Sequence, residues 1–388
     1  MKALITYRPD SQKKQGSIRA SLTTDILNDI CQRITGQDKY SVIEDTSSYN
    51  RGRLVVVDYR GKRTYITLSE QKLDGRNSSI QSVPTALNIF FQDSYPNKSL
   101  CYYFLEHTGN AFTDYHMFMY RMMATAGIHF INSSLYTNKV IVPFNSVDDI
   151  IYAKRILRQS NKSNNSSYLA KSDGGIQIYA KVYGASKYES TLLAFATSKI
   201  AHEEIDLYNI CERDLQRLPR SSQKTLKELN IHFHDTNLFF DINHQHDPHA
   251  DDLRSSAYIY NLLNRMGDKQ CALCGCPIQE IVQGAHVWNI ADIKSSSLSD
   301  SEKFKAATSG SNGLWLCQNH HKLFDANLIM FDNDGALRLS SLLNGEDSTY
   351  IKEITLRHHL DESLMDNDFK QYLALRNSHI NLNYSVTI

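Results

Sequence analysis

SGSNGLWLCQNHHKLFDANLI, residues 309–329, decides the architecture of the C-terminal third of the chain. Cys317 and His320 stand two residues apart within it, and upstream CALC repeats that spacing with Cys271 and Cys274. Two intervening residues let both ligands of a half-site turn back onto one tetrahedral ion. Three thiolates and one imidazole, in halves separated by 42 residues, make the donor set of a structural zinc site. Cys276 is a competing ligand, but its one-residue spacing from Cys274 fits less well. Four of the seven cysteines fall within residues 271–317, and with no secretory signal that clustering points to metal rather than disulfides. Cys31, Cys101 and Cys211 are scattered and read as buried thiols.

Between the two halves lies QGAHVWNIADI, residues 283–293. The order C-x2-C, A-H-V, N-G-L-x-L-C, H-H-x-L-F-D resembles the HNH endonuclease family, the ββα-metal nucleases, over roughly residues 255–340. The resemblance implies a zinc-stapled hairpin followed by a helix, acting on DNA. It makes His286 the general base at the end of the first strand. It gives Asn312 the task of holding the loop and orienting that base. It puts His321 on the catalytic metal, Mg2+ or Mn2+, and leaves His320 to zinc, although the two neighbours can exchange roles. Asp325 lies four residues after His321, on the same helical face, and can share the ion. Many family members carry Asp or His just before the base, as a metal ligand. Here Ala285 stands there, so either Asp325, Glu280 or Asp292 compensates or the metal is held weakly. The chemistry needs these residue types. An imidazole titrates near neutrality and can deprotonate water, while a hard cation neutralises phosphoryl charge and assists the leaving oxygen.

With 388 residues, 41% of them hydrophobic, the chain is long enough for two or three domains with real cores. The expected class is α+β and multidomain: a mixed N-terminal α/β region and a zinc-stapled ββα-metal domain. The expected organisation is an α/β domain over 1–160, a small α/β unit and histidine-rich linker over 161–250, the nuclease over 251–345 and closing helices over 346–388. MKALITYRPDSQ has no apolar core of a secretory signal, and no run of about 18 apolar residues exists, so a cytoplasmic enzyme without membrane spans is expected. Formal net charge is zero, but residues 1–64 hold twelve Lys/Arg against seven Asp/Glu, and 152–230 thirteen against eight. Those biases are compatible with phosphate contacts.

Along the chain, SLTTDILNDICQRITG predicts a helix with Leu22, Ile26, Ile30 and Ile34 on one stripe and Ser21 or Thr23 as cap. RLVVVDYRGKRTYITLS predicts a hairpin turning at Arg60-Gly61-Lys62. KVIVPF predicts a short strand, the Ser/Asn-rich 159–176 a linker or surface loop, and 231–250, with five of fifteen histidines, a polar linker or a second metal site. Trp288 and Trp315 read as core of a small metal-stapled module.

Glu70 and Lys72 have the E-x-K spacing that another class of restriction enzymes uses, with an Asp, to bind Mg2+; Asp58 precedes them. In a regular hairpin Asp58 would lie roughly 20 to 25 Å from Glu70, which weighs against an active second centre. The function that fits best is a type II-like restriction endonuclease cutting double-stranded DNA. A homodimer is the geometric expectation for cutting both strands. Two other classes fit the same residues: a DNase effector released by a ligand or partner, and a non-catalytic zinc module that only binds DNA.

Overall fold

A computed structural model describes residues 2–8, 22–45, 54–69, 80–105, 113–137, 139–160, 167–172, 175–181, 186–211, 218–237, 256–380 and 383–385. The chain divides into two compact units. One comprises Met1–Ser167, Ala180–Asn209 and Gln216–His234; the other comprises Tyr168–Tyr179, Ile210–Leu215 and Asp235–Ile388.

The first unit is built on a six-stranded mixed sheet. β1 (Ala3–Tyr7) leads through helix α1 (Thr24–Thr35) to β2 (Tyr40–Glu44), which pairs with β1 in parallel. Then come β3 (Leu54–Tyr59), β4 (Lys62–Leu68), α2 (Val83–Gln92), β5 (Lys98–Tyr103), α3 (Asp114–Thr125), β6 (His129–Phe130) and α4 (Val147–Ser160). The sheet order is β2-β1-β3-β4-β5-β6. β3 is antiparallel to both neighbours, whereas β4, β5 and β6 run parallel and need helical crossovers. The expected hairpin is β3–β4; Arg60 and Gly61 both take positive φ, 48° and 72°, as its two-residue turn demands. Thr23 caps α1 by accepting the Ile26 N–H at 3.4 Å. Ile30 of that helix is fully buried, as are Ile5, Val55, Val57, Ile66 and Leu68, the apolar core on this side of the sheet. Each such side chain contributes roughly 1.5–3 kcal/mol.

KVIVPF is not a strand. Val140 and Val142 are 82% and 50% exposed. The backbone bonds side chains instead of a sheet: Arg121 donates to the Val142 carbonyl at 3.0 Å, and the Phe144 N–H to Thr125 Oγ1 at 2.8 Å.

Residues 167–237 alternate strand and helix: β7 (Ser167–Ser172), β8 (Gly175–Lys181), α5 (Ser186–Ile200), β9 (Ile205–Cys211), α6 (Arg220–Glu228) and β10 (Ile231–Asn237). The polar stretch expected as linker or loop is therefore strand over Ser167–Ser172 and again from Gly175. The histidine-rich stretch likewise begins as strand β10, because IHFH alternates a buried apolar residue with an outward polar one. His234 meets Asp206 Oδ1 at 2.6 Å and stacks on Tyr208. His244, His246 and His249 lie outside the described residues.

The second unit continues with α7 (Ser256–Met266), β11 (Val282–His286), α8 (Ile290–Ser295), α9 (Asp300–Thr308), β12 (Gly313–Cys317), α10 (Gln318–Asp325), β13 (Ile329–Phe331), β14 (Leu337–Ser340), α11 (Gly345–Ile354), α12 (Asn367–Ser378) and β15 (Tyr384–Ser385). β11 and β12 form an antiparallel pair, with Val282 opposite Cys317 and His286 opposite Gly313. Strand β7 belongs here: Tyr168 packs edge-on against Tyr260, and the Lys171 N–H bonds Gln279. Of the closing helices expected over 346–388, α11 and α12 form, but residues 355–366 between them hold only a single 3-10 turn, Glu362–Leu364. The Leu337 N–H takes the His358 carbonyl at 2.8 Å and the Leu360 N–H takes the Gly335 carbonyl at 3.0 Å, so backbone pairing holds this segment against the β13–β14 turn. Among the described residues no helix is long and apolar enough to cross a membrane.

Candidate functional site

The loop between α7 and β11 brings Cys271 and Cys274 to the foot of the β11–β12 hairpin. Cys317 ends β12, and His320 sits one turn into α10. The four ligand atoms lie within 4.8 Å of one another. Cys274 and Cys317 sulfurs are 3.8 Å apart, and His320 Nδ1 is 3.6 Å and 3.2 Å from the sulfurs of Cys271 and Cys317. Tetrahedral zinc spaces two thiolates by about 3.8 Å and a thiolate from an imidazole nitrogen by about 3.6 Å, so the donor set fits zinc in chemistry and size. Cys276 is outside the cluster; its carbonyl accepts the Cys271 N–H at 3.0 Å. Backbone bonds fix the loop from two sides. Ala272 N–H reaches the Trp315 carbonyl, while Leu356 and Arg357 N–H both reach the Leu273 carbonyl. His320 Nε2 bonds Thr355 Oγ1 at 3.0 Å, which turns Nδ1 toward the sulfurs.

Burial opposes ionisation of the three thiols. At Cys271 the His320 ring and backbone groups of Cys274, Cys317 and Leu273 outweigh it, and the thiol is pulled down to about 6. At Cys274 burial and the neighbouring thiols prevail over the Cys276 backbone, and the thiol is pushed up to about 12. A bound cation would favour the thiolate form of all three.

At its other end the hairpin presents a different set. His286 closes β11. Its Nε2 lies 3.0 Å from the Ala307 carbonyl, which can only accept, so Nε2 carries the proton and Nδ1 is the basic nitrogen. The ring stacks on Tyr258 of α7, with centroids 3.8 Å apart and planes 16° apart. Tyr258 also donates to the Ala285 carbonyl at 3.0 Å. Two motif glycines make room for this phenol: a Cβ on Gly313 would come within 2.2 Å of its hydroxyl, and one on Gly284 within 3.0 Å of its ring.

Asn312, fully buried, does not bond His286. Its Oδ1 accepts the Trp288 N–H at 2.7 Å, and its Nδ2 donates to the Trp288 and Ala306 carbonyls. It therefore locks the turn after His286 to the last turn of α9. That turn has carbonyls with no helical partner; Ala306, Ala307 and Thr308 are satisfied by Asn312, His286 and Asn261. Asn312 and His286 are coupled through this helix end.

His321, buried in α10, bonds Gln283 Oε1 through Nδ1 at 3.1 Å and faces Asp325 Oδ2 through Nε2 at 3.2 Å. Two ligands of one hard cation, each about 2.1 Å from it, stand about that far apart. Among the described residues no third His, Cys, Asp or Glu joins this pair. Asp292 is engaged with Asn289 at the start of α8. Ala285 is fully buried. Alternation along β11 puts Gln283 and Ala285 on the α10 face and Gly284 and His286 on the α7 face, so His286 and the His321–Asp325 pair flank the strand from opposite sides.

The HNH endonuclease family model matches residues 271–332. This segment is an HNH endonuclease domain. No curated protein matches the chain.

Several HNH-module residues had no signal in the sequence. Tyr258, Gln283 and Thr355 act through contacts 27 to 38 residues away in the chain. Arg376 of α12 is buried over the Phe324 ring and donates to the Val287 and Phe324 carbonyls, joining the turn after His286 to the end of α10. Burial lowers its pKa, and Asp325, Tyr384 and Asp292 oppose that. In the first unit, Asp58 sits opposite Arg63 at the turn end of the β3–β4 hairpin, and both of its carboxylate oxygens accept from that guanidinium. Glu70 and Lys72 lie outside the described residues.

Proposed function

We propose that this protein is a metal-dependent endonuclease of restriction type that hydrolyses phosphodiester bonds in double-stranded DNA. The observation that carries the reading is the fixed tautomer of His286: its Nε2 proton is committed to the Ala307 carbonyl, and its Nδ1 is set as a base at the end of the hairpin. His286 takes the proton of the attacking water at Nδ1. The carbonyl end of α9 stabilises the imidazolium that results. Tyr258 holds the ring plane, and Asn312 holds the helix end that holds the ring. His321 and Asp325 would hold Mg2+ or Mn2+; when bound, such an ion neutralises charge on the phosphoryl oxygens and the departing 3′ oxygen. Zinc on Cys271, Cys274, Cys317 and His320 would staple the module.

The first unit supplies target recognition in this reading, the enzyme acts in the cytoplasm, and a homodimer delivers one centre to each strand. The test is incubation of the zinc-loaded chain with defined plasmids in Mg2+ or Mn2+. Fixed fragments are expected. Smearing of every plasmid would replace restriction with nonspecific cleavage, and binding without cleavage would leave a non-catalytic zinc module.

A further inference from the structure

We propose that the outer edge of β2 is an interface at which β2 of a second copy of this chain pairs antiparallel, about a two-fold axis at Val42. β2 ends the sheet order β2-β1-β3-β4-β5-β6, and among the described residues no strand pairs with its outer side. Its register with β1 decides which backbone groups face out. The Lys39 carbonyl accepts the Ala3 N–H at 3.2 Å, and the Asp45 N–H donates to the Tyr7 carbonyl at 2.7 Å. Between these two bonds the parallel ladder is regular, from Ala3 opposite Tyr40 to Tyr7 opposite Glu44. Lys39, Ser41, Ile43 and Asp45 therefore direct their backbone groups at β1, and Tyr40, Val42 and Glu44 direct theirs outward.

Edge strands are usually blunted by a proline, a bulge or a charge in mid-strand. The middle of YSVIE has none of these, and Val42 and Ile43 are 45% and 47% exposed. Self-complementarity is what selects a second copy as the occupant. Antiparallel pairing about Val42 sets Val42 against itself, Tyr40 against Glu44, Ser41 against Ile43 and Lys39 against Asp45. The outward residues Tyr40, Val42 and Glu44 then form the hydrogen-bonded pairs, about six bonds in all. Lys39 and Asp45 fall at a position without such bonds, where Cα atoms are about 4.5 Å apart and side chains meet most closely. Each end of the interface thus carries an opposite-charge pair. A shift of two residues loses it: one direction sets Asp38 against Glu44, and the other sets Asp45 against Ser41. A contact this short fits a reversible, micromolar dimer rather than a permanent one. It names the interface of the homodimer in the proposed function, and rests on that reading only for the dimer's purpose.

The test is sedimentation velocity of the full-length, zinc-loaded protein over a concentration series, without DNA or Mg2+. Wild type should pass reversibly from monomer to dimer in the micromolar range. Val42→Lys sets two ammonium groups against each other on the axis, at a position exposed enough to keep the monomer folded. It should weaken the dimer about tenfold, with circular dichroism unchanged. Lys39→Asp should weaken it several-fold by opposing two acids at each end, and adding Asp45→Lys should restore it. Should the double variant fail to fold, Val42→Lys decides. A monomer at every concentration up to about 0.1 mM would overturn the proposal, as would a dimer indifferent to Val42→Lys. A folded double variant that stays as weak as Lys39→Asp would overturn the register. Because the readout is mass, a monomer that still cuts DNA into fixed fragments sinks the interface alone. A β2 dimer that cuts nothing sinks the nuclease reading alone.

Discussion

The two ends of the β11–β12 hairpin differ in kind. At the foot, four donors from three elements converge within 4.8 Å, and a zinc ion would find its coordination complete. At the tip, His321 and Asp325 offer two ligands, and His286 stands on the other face of the strand. A structural ion is held by the chain alone, whereas a catalytic ion must keep positions open for water and substrate. On the proposed function, the sparse end is the one where chemistry occurs.

Loss of a staple ligand should have the largest effect. Zinc contributes roughly 10–16 kcal/mol of apparent folding energy in small modules. Cys317→Ser, or a chelator, should release the metal and abolish the near-ultraviolet dichroism of the HNH module; persistence of that signal without zinc would make the foot dispensable to the fold. Acid should do the same by titration. The Cys271 thiol is held at about 6 against an ordinary value of 9.0. Its preference for the thiolate in the folded chain is fully present above about 9 and is lost as pH falls through about 6. A bound ion holds the thiolate against the proton, so zinc content after dialysis should fall only below that boundary.

Arg376→Met comes next. It removes the donor from the Val287 carbonyl and from Asn327 Oδ1, while the Phe324 carbonyl keeps the Asn327 N–H, at a cost of about 1–3 kcal/mol read from the denaturant midpoint, with zinc retained. Asp325→Asn should sharpen the contrast further. Cleavage should drop about tenfold or more and recover at high Mn2+, while zinc content stays constant. A loss of zinc instead would merge the two ends into one site. Smallest is Tyr258→Phe, which keeps the stack on His286 but removes the bond to the Ala285 carbonyl, about 1 kcal/mol of stability and a few-fold in rate.

The four-donor foot was readable because its information is local: residue type and a two-residue spacing decide it. The hairpin at Arg60-Gly61 and the α1 stripe were readable for the same reason. What escaped depends on partners distant in sequence. Nothing in SSAYIYNLLNRM distinguishes Tyr258, which stacks on His286, from its neighbour Tyr260, which packs on β7. KVIVPF has strand composition but lost the competition for a sheet partner to Arg121 and Thr125. The link from Asn312 to His286 was legible as a pairing of roles, while its route through the end of α9 required the fold.

The central claim is that His286 is the base of a DNA-cleaving centre. The most direct measurement compares His286→Ala with wild type on mixed DNA substrates in Mg2+, zinc content matched. A general base is worth about 10²–10⁴ in rate, so cleavage should fall by that factor with DNA binding unchanged. Full retained cleavage would contradict the account and turn attention to Glu70 and Lys72.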